Sequence, residues 1–430
     1  MEIIMQDIFD KCTGDGGYFG QFRVAGDRFF TLPVIDGIPG PGMKFNGIDT
    51  IMWSINNYLG LVDDPQIKAA ALEATQKWSL GAPMGSRMMS GSTSEHLALE
   101  KSLAEYAQKE DAFLFNYGYM GVLGTVSALC GPDDILIVDK LSHACIVDAA
   151  FSAKGGQGGK PMVRFFRHNN MNDLESLLKR INRNRKGGVM ILTEGVYGMT
   201  GDLADLEGIT ALARKYGGRI FVDDAHGFGV MGEHGRGTAD HFGVQEEIDI
   251  YFGTFAKSFA SIGGFSATST QVRDWIAYNA RTQVFAKALP MPYVKSLQHT
   301  LKKVISEDHR RATMWERSHG LKEGLRNLGF HIGSGQSPIC AVFIPAGDKL
   351  EDLSIRVLQY LRKNGVFCTG VIWPVIPPGL VMLRMIPTAA HSEEDVLRTI
   401  EVFAHMQRDL ENSFTLGDEQ INKANKIYML

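Results

Sequence analysis

The stretch DIYFGTFAKSFASIGGF, residues 249–265, joins an apolar run with the pattern of a buried strand to a turn of small residues that carries one lysine, Lys257. Charged side chains are normally kept at the protein surface unless something makes use of them. Similar short apolar runs recur through residues 51–295 and alternate with helical patterns. This alternation predicts β-α-β units and a mostly parallel sheet.

The sequence predicts an α/β protein with three parts. Residues 1–50 carry Gly and Pro without a sustained period, which is typical of an irregular arm. Residues 51–295 hold the strand and helix alternation and form the predicted large domain, in which IYFGTF (250–255) has an antiparallel insertion as its alternative interpretation. Residues 296–430 begin with a long helical pattern and continue into short apolar runs, which predicts a smaller α+β domain.

Composition favours a small-molecule partner. Lys and Arg number 44, Asp and Glu number 48, and no block of like charges occurs, so a nucleic-acid surface is not supported. The five cysteines are scattered and never spaced as C-x-x-C, which disfavours a disulfide framework and a metal site. No secretory signal pattern and no run of about 18 apolar residues occurs. We expect a cytoplasmic protein without a metal, and peripheral membrane contact stays open.

Polar residues follow three of the predicted strands. In an open parallel sheet the ligand crevice lies beyond the carboxyl ends of the strands, so these residues should share one rim with Lys257. For any one of them alone, a helix cap or a buried pair is an equal alternative. The residues are Asp223, Asp224 and His226 in GRIFVDDAHGFG (218–229), Asp139, Ser142 and His143 in ILIVDKLSHACI (135–146), and Glu194 in GVMILTEGVYG (188–198).

FNYGYMGVLGTVSAL (115–129) has the pattern of a strand followed by a helix that begins at Gly118, Tyr119 and Met120. The backbone N–H groups at a helix start, reinforced by the helix dipole, form a site for a phosphate. Thr254 lies three residues before the lysine and would grip the same anion from a second side. Because glycine also serves turn geometry alone, the pattern gains weight only in this combination.

A desolvated lysine would explain why the strand-end polar residues and the predicted phosphate site lie together. Such an amine loses part of its preference for protonation and can form a Schiff base with an aldehyde. Pyridoxal phosphate supplies both the aldehyde and the phosphate. An aspartate beside the pyridine nitrogen keeps that nitrogen protonated and the ring electron-accepting, and Asp223 is the candidate for this role. An exposed loop lysine is the alternative interpretation of Lys257.

VDDAHGFGVMGEHGRG (222–237) together with GTFAKSFASIGGF (253–265) resembles the α-oxoamine synthases, which are pyridoxal-phosphate-dependent transferases of fold type I, the aspartate aminotransferase-like fold. The similarity extends from SINNYLGL (54–61) to TAAHSEEDV (388–396). Within the family, GSRMMSGST and LFNYGYMGVLG look most like serine palmitoyltransferase. The segment GVIWPVIPPGLVMLRMIPTAAH (370–391) is also similar to glycine C-acetyltransferase.

The resemblance implies a set of cofactor residues. Lys257 would bind the cofactor covalently and act as the base at the substrate Cα, and Asp223 would pair with the pyridine nitrogen. His226 would hydrogen-bond the 3-hydroxyl of the cofactor, and His143 would stack on its ring. The remaining residues of the predicted cofactor pocket are Gly118, Tyr119, Met120, Glu194 and Thr254.

The resemblance also implies how the amino acid substrate is held. Arg384, in VMLRMIP, would clamp the substrate carboxylate with the two-pronged geometry that a guanidinium favours. Asn57, in INNYLGL, would assist it, with Asn56 as a competing assignment. For Arg384 alone, a surface ion pair is the commoner fate of an arginine.

The implied reaction is the decarboxylative condensation of an amino acid with a long-chain acyl thioester, carried by coenzyme A or acyl carrier protein, to give an α-amino ketone. With serine or cysteate this is the first step of sphingolipid or sulfonolipid base synthesis, performed by a homodimer. A short-chain synthase such as glycine C-acetyltransferase or 8-amino-7-oxononanoate synthase is the alternative. A non-catalytic scaffold subunit would be expected to lack Lys257.

Four places in the sequence depart from the pattern of the bacterial palmitoyltransferases. Ala256 and Ala286 stand where relatives carry hydroxyl residues, the second of them donated from the neighbouring subunit. Ile372 and Trp373 together occupy the region where they place a second arginine. Gly198 stands where many relatives have serine. We expect additional room at Gly198 and Ala256, which would help to admit a sulfonate.

Overall fold

The computed structural model describes residues 7–12, 20, 32–153, 161–333, 335–346, 350–373 and 375–428. Its strands are β1 Ile35–Asp36, β2 Gly42–Phe45, β3 Ile48–Met52, β4 Asp111–Phe115, β5 Ile135–Asp139, β6 Met162–Phe166, β7 Val189–Glu194, β8 Arg219–Asp223, β9 Ile250–Thr254, β10 Gly264–Thr268, β11 His331–Ile332, β12 Cys340–Pro345, β13 Val366–Phe367, β14 Thr369–Val371 and β15 Leu380–Met385.

The α-helices flank these strands in chain order. They are α1 Pro65–Trp78, α2 Ser94–Tyr106, α3 Gly118–Leu129, α4 Ala144–Ser152, α5 Met171–Ile181, α6 Leu206–Tyr216, α7 Thr238–His241, α8 Thr270–Asn279, α9 Arg281–Val284, α10 Met291–Ser306, α11 Asp308–Asn327, α12 Leu350–Lys363, α13 Glu393–Asp409 and α14 Asp418–Ile427.

A seven-stranded sheet in the order β4-β10-β9-β8-β7-β5-β6 forms the centre of the fold. Strands β6, β5, β7, β8 and β9 are parallel, so the predicted mostly parallel sheet is confirmed. The alternative of an antiparallel IYFGTF is wrong, because β9 pairs parallel with β8 and it is β10 that runs antiparallel. A parallel return needs a crossover of roughly a dozen residues or more, and the loop 255–263 is shorter than that.

The chain reverses its direction across the sheet at β5 and β7. From β5 it crosses outward to β6, and from β7 it crosses the other way to β8 and β9. Ligands of open α/β sheets bind at such a switch point, outside the carboxyl ends of the strands. The ends of β5, β7, β8 and β9 therefore frame the expected crevice.

The predicted arm is only partly irregular. Residues 1–6, 13–19 and 21–31 of it lie outside the described residues. Within the described part, β2 and β3 form a hairpin whose turn residues Asn46 and Gly47 have φ values of 51° and 77°. An Asn-Gly pair between two short apolar runs is a strong hairpin signal, so the expectation of irregular structure is wrong here.

Two smaller sheets complete the fold, and the first of them joins the N-terminal hairpin to the C-terminal part of the chain. The order β1-β2-β3-β13 places the N-terminal hairpin beside β13, and the order β11-β12-β15-β14 gives an antiparallel sheet. This second sheet shares a buried apolar cluster with α11, α12 and α13, as expected for a smaller α+β unit. The predicted boundary at 295/296 falls inside α10, and the division 1–50, 51–295 and 296–430 stays a prediction.

Within the described residues, every helix is too short or too polar to span a bilayer. The cytoplasmic location stays a prediction.

Candidate active site

A cleft of about 910 Å³ lies at the carboxyl ends of the central strands. Its floor holds Lys257, Asp223 and Glu194, and its lining also includes Trp373, Val375 and, at the end of α14, Ile427. The cleft thus lies at the switch point of the sheet, where the order of strands predicts it. Five of the residues that the sequence predicts at the site do not line it: Asn57, Met120, Asp139, Ser142 and Asp224.

The amine of Lys257 lies in the floor of the cleft. The residue follows β9 in the loop 255–263 and is half-buried, and its Nζ makes no hydrogen bond or ion pair with any residue that the structure describes. Burial lowers the pKa of Lys257, while the negative charges of Asp223 and Glu194 oppose this effect. The alternative of an exposed loop lysine does not fit, since the amine lies inside the cleft.

Asp223 and Asp224 are separated by the alternation of the strand. Successive side chains of a strand point to opposite faces, and Asp223 at the end of β8 faces the cleft. Asp224 accepts hydrogen bonds from the Thr238 amide and hydroxyl, both at 2.6 Å, and from the Tyr251 hydroxyl at 2.9 Å. Asp224 is therefore a buried structural carboxylate. Burial raises the pKa of Asp223, although the Lys257 amine acts against the rise.

Glu194 and His143 are joined across two strand ends. Glu194 ends β7 and its Oε1 accepts from the His143 amide at 2.6 Å, which fixes the start of α4. His143 caps α4, since its Nδ1 accepts from the Cys145 amide at 3.2 Å, and its ring is exposed to the cleft. Burial and the nearby charge of Asp223 raise the pKa of Glu194. Burial lowers the pKa of His143.

Cys145 connects this histidine to Asp223 and was not singled out from the sequence. Its Sγ lies 2.9 Å from Nδ1 of His143 and donates to Oδ2 of Asp223 at 3.4 Å. The thiol is buried, and burial raises the pKa of Cys145 far above that of a reactive thiol. It therefore acts here as a weak hydrogen-bond donor rather than as a nucleophile.

His226 is held by a residue that the sequence did not reveal. Its Nδ1 lies 2.8 Å from the Tyr58 hydroxyl, and both side chains are buried. Burial lowers the pKa of His226 strongly, with the charges of Lys257 and Arg384 acting in the same direction. The ring is consequently neutral, and a Tyr58 hydroxyl that donates to Nδ1 leaves the ring proton on Nε2.

The expectation of extra room at Gly198 is wrong. A Cβ on Gly198 would lie 2.2 Å from Nε2 of His226, so the imidazole already fills the space that a side chain would take. Ala256, in contrast, is exposed and lines the cleft. The predicted opening beside Lys257 therefore rests on Ala256 alone.

Arg384 lies on β15 and reaches the cleft from the smaller sheet. Its Nε donates to the Gly198 carbonyl at 2.6 Å, and its two Nη groups make no hydrogen bond to described residues. Asn56 lines the cleft with a buried Oδ1 that has no partner. Asn57 instead accepts from the amides of Leu61 and Val62 at 2.9 and 3.3 Å, which caps the following turn. The geometry favours Asn56, the competing assignment, as the neighbour of Arg384.

Gly118 and Thr254 form what we call the phosphate cradle. The helix α3 begins at Gly118, and its N-cap residue Tyr117 makes no side-chain capping hydrogen bond. A Cβ on Gly118 would lie 2.7 Å from Oγ1 of Thr254, so only glycine leaves this space open. Tyr119 lines the cleft and hydrogen-bonds Asp148, whereas Met120 presents only its carbonyl to Thr282. The amides of the uncapped helix start and the Thr254 hydroxyl suit an anion.

A buried histidine links three loops at the side of the cleft. His168 bonds Asp139 through Nδ1 at 3.0 Å and Asp202 through Nε2 at 2.7 Å. Burial alone would lower its pKa, but the two carboxylates raise the pKa of His168 to about 9. Asp139 is thus engaged in holding the wall of the cleft, and it is not available to a ligand.

Comparison with known proteins gives a consistent picture. The family model of aminotransferase class I and II matches residues 48–403. The chain is 39% identical over 410 residues to a cysteate-C-fatty acyltransferase of Capnocytophaga ochracea, covering 95% of this chain and 96% of the relative. It is 36% identical over 382 residues to a serine palmitoyltransferase of Bacteriovorax stolpii, covering 89% and 88%. A serine palmitoyltransferase structure from S. paucimobilis, solved with PLP and myriocin, superposes with a TM-score of 0.85 and 29% identity over 94% of this chain and 100% of that one.

Substitution of Gly118 tests the phosphate cradle. We expect Gly118→Ala to weaken the binding of pyridoxal phosphate to the apoenzyme about 10-fold or more, because the new methyl group occupies the space beside Thr254. Fluorescence titration of apoenzyme with the cofactor measures the change. Gly42→Ala is the matched control, since a Cβ there meets nothing within 4 Å. Equal affinities of the two variants would contradict the cradle.

Proposed function

Because the chain belongs to the α-oxoamine synthases, pyridoxal-phosphate-dependent C-acyltransferases within the class I and II aminotransferase family, we propose that it condenses an amino acid with a long-chain acyl thioester. The single observation that carries the proposal is the composition of the cleft. A desolvated lysine, a guanidinium with open Nη groups and a large apolar wall face one space.

The site fits pyridoxal phosphate, the cofactor of this enzyme. The phosphate cradle leaves a space that any side chain at Gly118 would fill, and the Lys257 amine has no competing partner among the described residues. Asp223 is buried in the floor of the cleft, where its carboxylate is available to accept a hydrogen bond from a protonated ring nitrogen. When bound, the cofactor provides an electron sink that stabilises negative charge at the amino acid Cα.

The residues around the floor have separate assigned roles in proton transfer, hydrogen bonding and stacking. The lowered pKa of Lys257 makes its amine a base that can take the proton from Cα. The Tyr58 hydroxyl is assigned as the donor to Nδ1 of His226, which places the ring proton on Nε2 and assigns this atom as donor to the cofactor 3-oxygen. His143 presents its ring from the start of α4 and is assigned as the stacking residue, held by Cys145.

The amino acid carboxylate is assigned to Arg384. Its Nε is anchored on the Gly198 carbonyl, so the two Nη groups have a fixed direction and are left for the substrate. Asn56 lines the same cleft and is assigned to donate to the carboxylate through its Nδ2, because its unpartnered Oδ1 is itself an acceptor. A clamp of this kind fixes the rotation of the substrate about its Cα–N bond, and thereby decides which bond at Cα breaks.

The acyl chain is assigned to the apolar wall of the cleft. Its side chains bury hydrocarbon at roughly 25 cal/mol per Å². This extent of apolar surface supports a long-chain acyl group over an acetyl group. The residues are Met199, Val375, Ile376 and Ile427.

For the amino acid we propose cysteate rather than serine. The relative that is 39% identical over nearly the whole chain carries the cysteate name, and the serine relative is 36% identical over a shorter stretch. Ala256 supports this choice, because it leaves space in the cleft one residue from Lys257 for a group bulkier than a hydroxymethyl.

We further propose a homodimer. Exposed apolar side chains form a patch beside the cleft, with Met84, Met89 and Phe285 each more than 70% exposed. The segments that carry them touch, since Ser86 pairs with Lys287 across an isolated bridge. Patches of this kind on one face favour association with a second copy, which would cover the opening near Tyr117.

A product assay over a matrix of substrates tests the function. The holoenzyme is incubated with cysteate, serine, glycine or alanine and with palmitoyl or acetyl thioesters, and products are identified by mass spectrometry. We expect the highest kcat/KM with cysteate and palmitoyl thioester. A preference for serine would refute the amino acid assignment only, whereas turnover confined to glycine and acetyl thioester would establish the short-chain alternative.

Replacement of the floor lysine tests its covalent role. Lys257→Ala should abolish the borohydride-stable cofactor adduct on the peptide that contains residue 257, and should lower kcat by about 10² to 10⁴-fold because the base at Cα is lost. Peptide mass spectrometry after reduction reads out the adduct. Lys179→Ala, an exposed lysine on α5, should keep both adduct and turnover. Retained turnover without Lys257 would refute the assignment.

Arg384→Lys tests the carboxylate clamp. A lysine keeps the charge but loses the two-pronged geometry, so KM for the amino acid should rise about 10 to 100-fold, the cost of one to two charge-assisted hydrogen bonds. KM for the acyl thioester and the cofactor absorbance of the resting enzyme should stay unchanged. Steady-state kinetics with each substrate varied in turn separate these effects, and an unchanged amino acid KM would assign the carboxylate elsewhere.

A further inference from the structure

Three cationic side chains, Lys140, Arg167 and Lys426, line the open end of the cleft, and we call them the basic rim. All three are exposed. Lys140 and Lys426 make no side-chain hydrogen bond or ion pair with the described residues. Arg167 has one loose ion pair, with its Nε 3.6 Å from Oδ1 of Asp173, and its Nη groups make no hydrogen bond within the described part of the chain. The rim therefore offers positive charge that the protein itself does not neutralise.

Lys140 and Arg167 of the basic rim are too far from the phosphate cradle to serve the same anion. Lys140 follows β5 and Arg167 follows β6, whereas Thr254 of the cradle ends β9. In the sheet order, β9 lies three strands from β5 and four from β6. At about 4.8 Å per strand this is a separation of about 14 to 19 Å. The rim is thus placed for a second anion.

The cleft changes character from floor to opening. The carboxylates of its wall, Glu194 and Asp223, lie at the floor beside Lys257, and neither belongs to the opening. Between floor and rim the wall is largely apolar, with Leu141 and Trp373 among its side chains. A ligand that matches this order has its reacting group at one end, an uncharged middle and an anion at the other end.

From this order we propose that the basic rim binds the phosphate at the outer end of the pantetheine arm that carries the acyl thioester. The inference rests on the proposed function, since it concerns the second substrate of that reaction. The thioester lies at the floor, the uncharged arm follows the cleft, and the phosphate meets the three cations. Coenzyme A and acyl carrier protein share this phosphopantetheine chemistry, and the rim accepts it from either source.

Equilibrium binding provides the direct test. We expect holoenzyme to bind coenzyme A about 10-fold more weakly when Lys140, Arg167 and Lys426 are all replaced by Ala, since each exposed charge contact contributes modestly. The affinity for pantetheine, which has no phosphate, should stay unchanged. Added salt should reduce the difference in coenzyme A affinity between the wild type and the variant. Isothermal titration calorimetry measures all three quantities.

A matched triple variant controls for the loss of charge. Lys179, Arg180 and Arg183 are exposed cations on and after α5, outside the cleft, and their joint replacement by Ala removes the same charge. This control should bind coenzyme A like the wild type. An equal loss in both triple variants, or an equal loss for pantetheine, would overturn the assignment of the phosphate to the rim.

Kinetics with three carriers distinguish the source of the phosphate. In the rim variant, KM should rise about 10-fold for palmitoyl-coenzyme A or palmitoyl acyl carrier protein, whichever the wild type prefers, and stay constant for palmitoyl pantetheine. The KM for the amino acid should not change, and a rise there would assign the rim to the amino acid and overturn the inference.

Failure of the inference differs from failure of the proposed function. If product forms and the rim variant keeps wild-type KM values for every carrier, the rim inference alone is wrong. If no thioester yields product with any amino acid, the proposed function is wrong, and the calorimetric comparison of coenzyme A with pantetheine still decides the rim.

Discussion

The withdrawal of the Lys257 amine from water is the constraint on which the site depends. Without desolvation the amine would be protonated near neutral pH and could act neither as a nucleophile toward an aldehyde nor as a base. Asp223 and Glu194 act against this effect, because their negative charges favour the protonated amine. Burial raises the pKa values of both acids, so the charge of each of the three groups depends on the other two. The central sheet makes this arrangement possible by ending β7 and β8 with these two acids.

Much of the fold and half of the site could be predicted from local patterns. Continuous apolar runs ended by acids gave the parallel strands and their rim, because buried parallel strands need apolar residues on both faces. The alternation of β8 explains why Asp223 rather than Asp224 faces the cleft, but the sequence alone could not show which face that was. The Asn46-Gly47 turn was visible in the sequence and was missed, although its signal is strictly local.

The remaining site residues depend on contacts between distant segments. Tyr58 meets His226 and Arg384 meets Gly198 across separations of 168 and 186 residues. No spacing within one segment encodes such pairs. Asn56 and Asn57 illustrate the same limit at close range: one faces the cleft and its neighbour caps a turn, and only the direction of the backbone decides between them. Local patterns therefore predict where the strands end, whereas tertiary packing determines which side chains face the cleft.

Gly198 shows why a small residue in a pocket does not imply a larger pocket. Its missing side chain lets the imidazole of His226 approach within a distance that a Cβ would forbid. Its carbonyl also accepts from Arg384 at 2.6 Å, so the same residue sets the position of the carboxylate clamp and the depth of the histidine. A serine at this position requires the imidazole to move, and with it the hydrogen bond to Tyr58. The glycine thus couples the group assigned to the cofactor with the group assigned to the substrate, and its effect on specificity acts through their placement rather than through free volume.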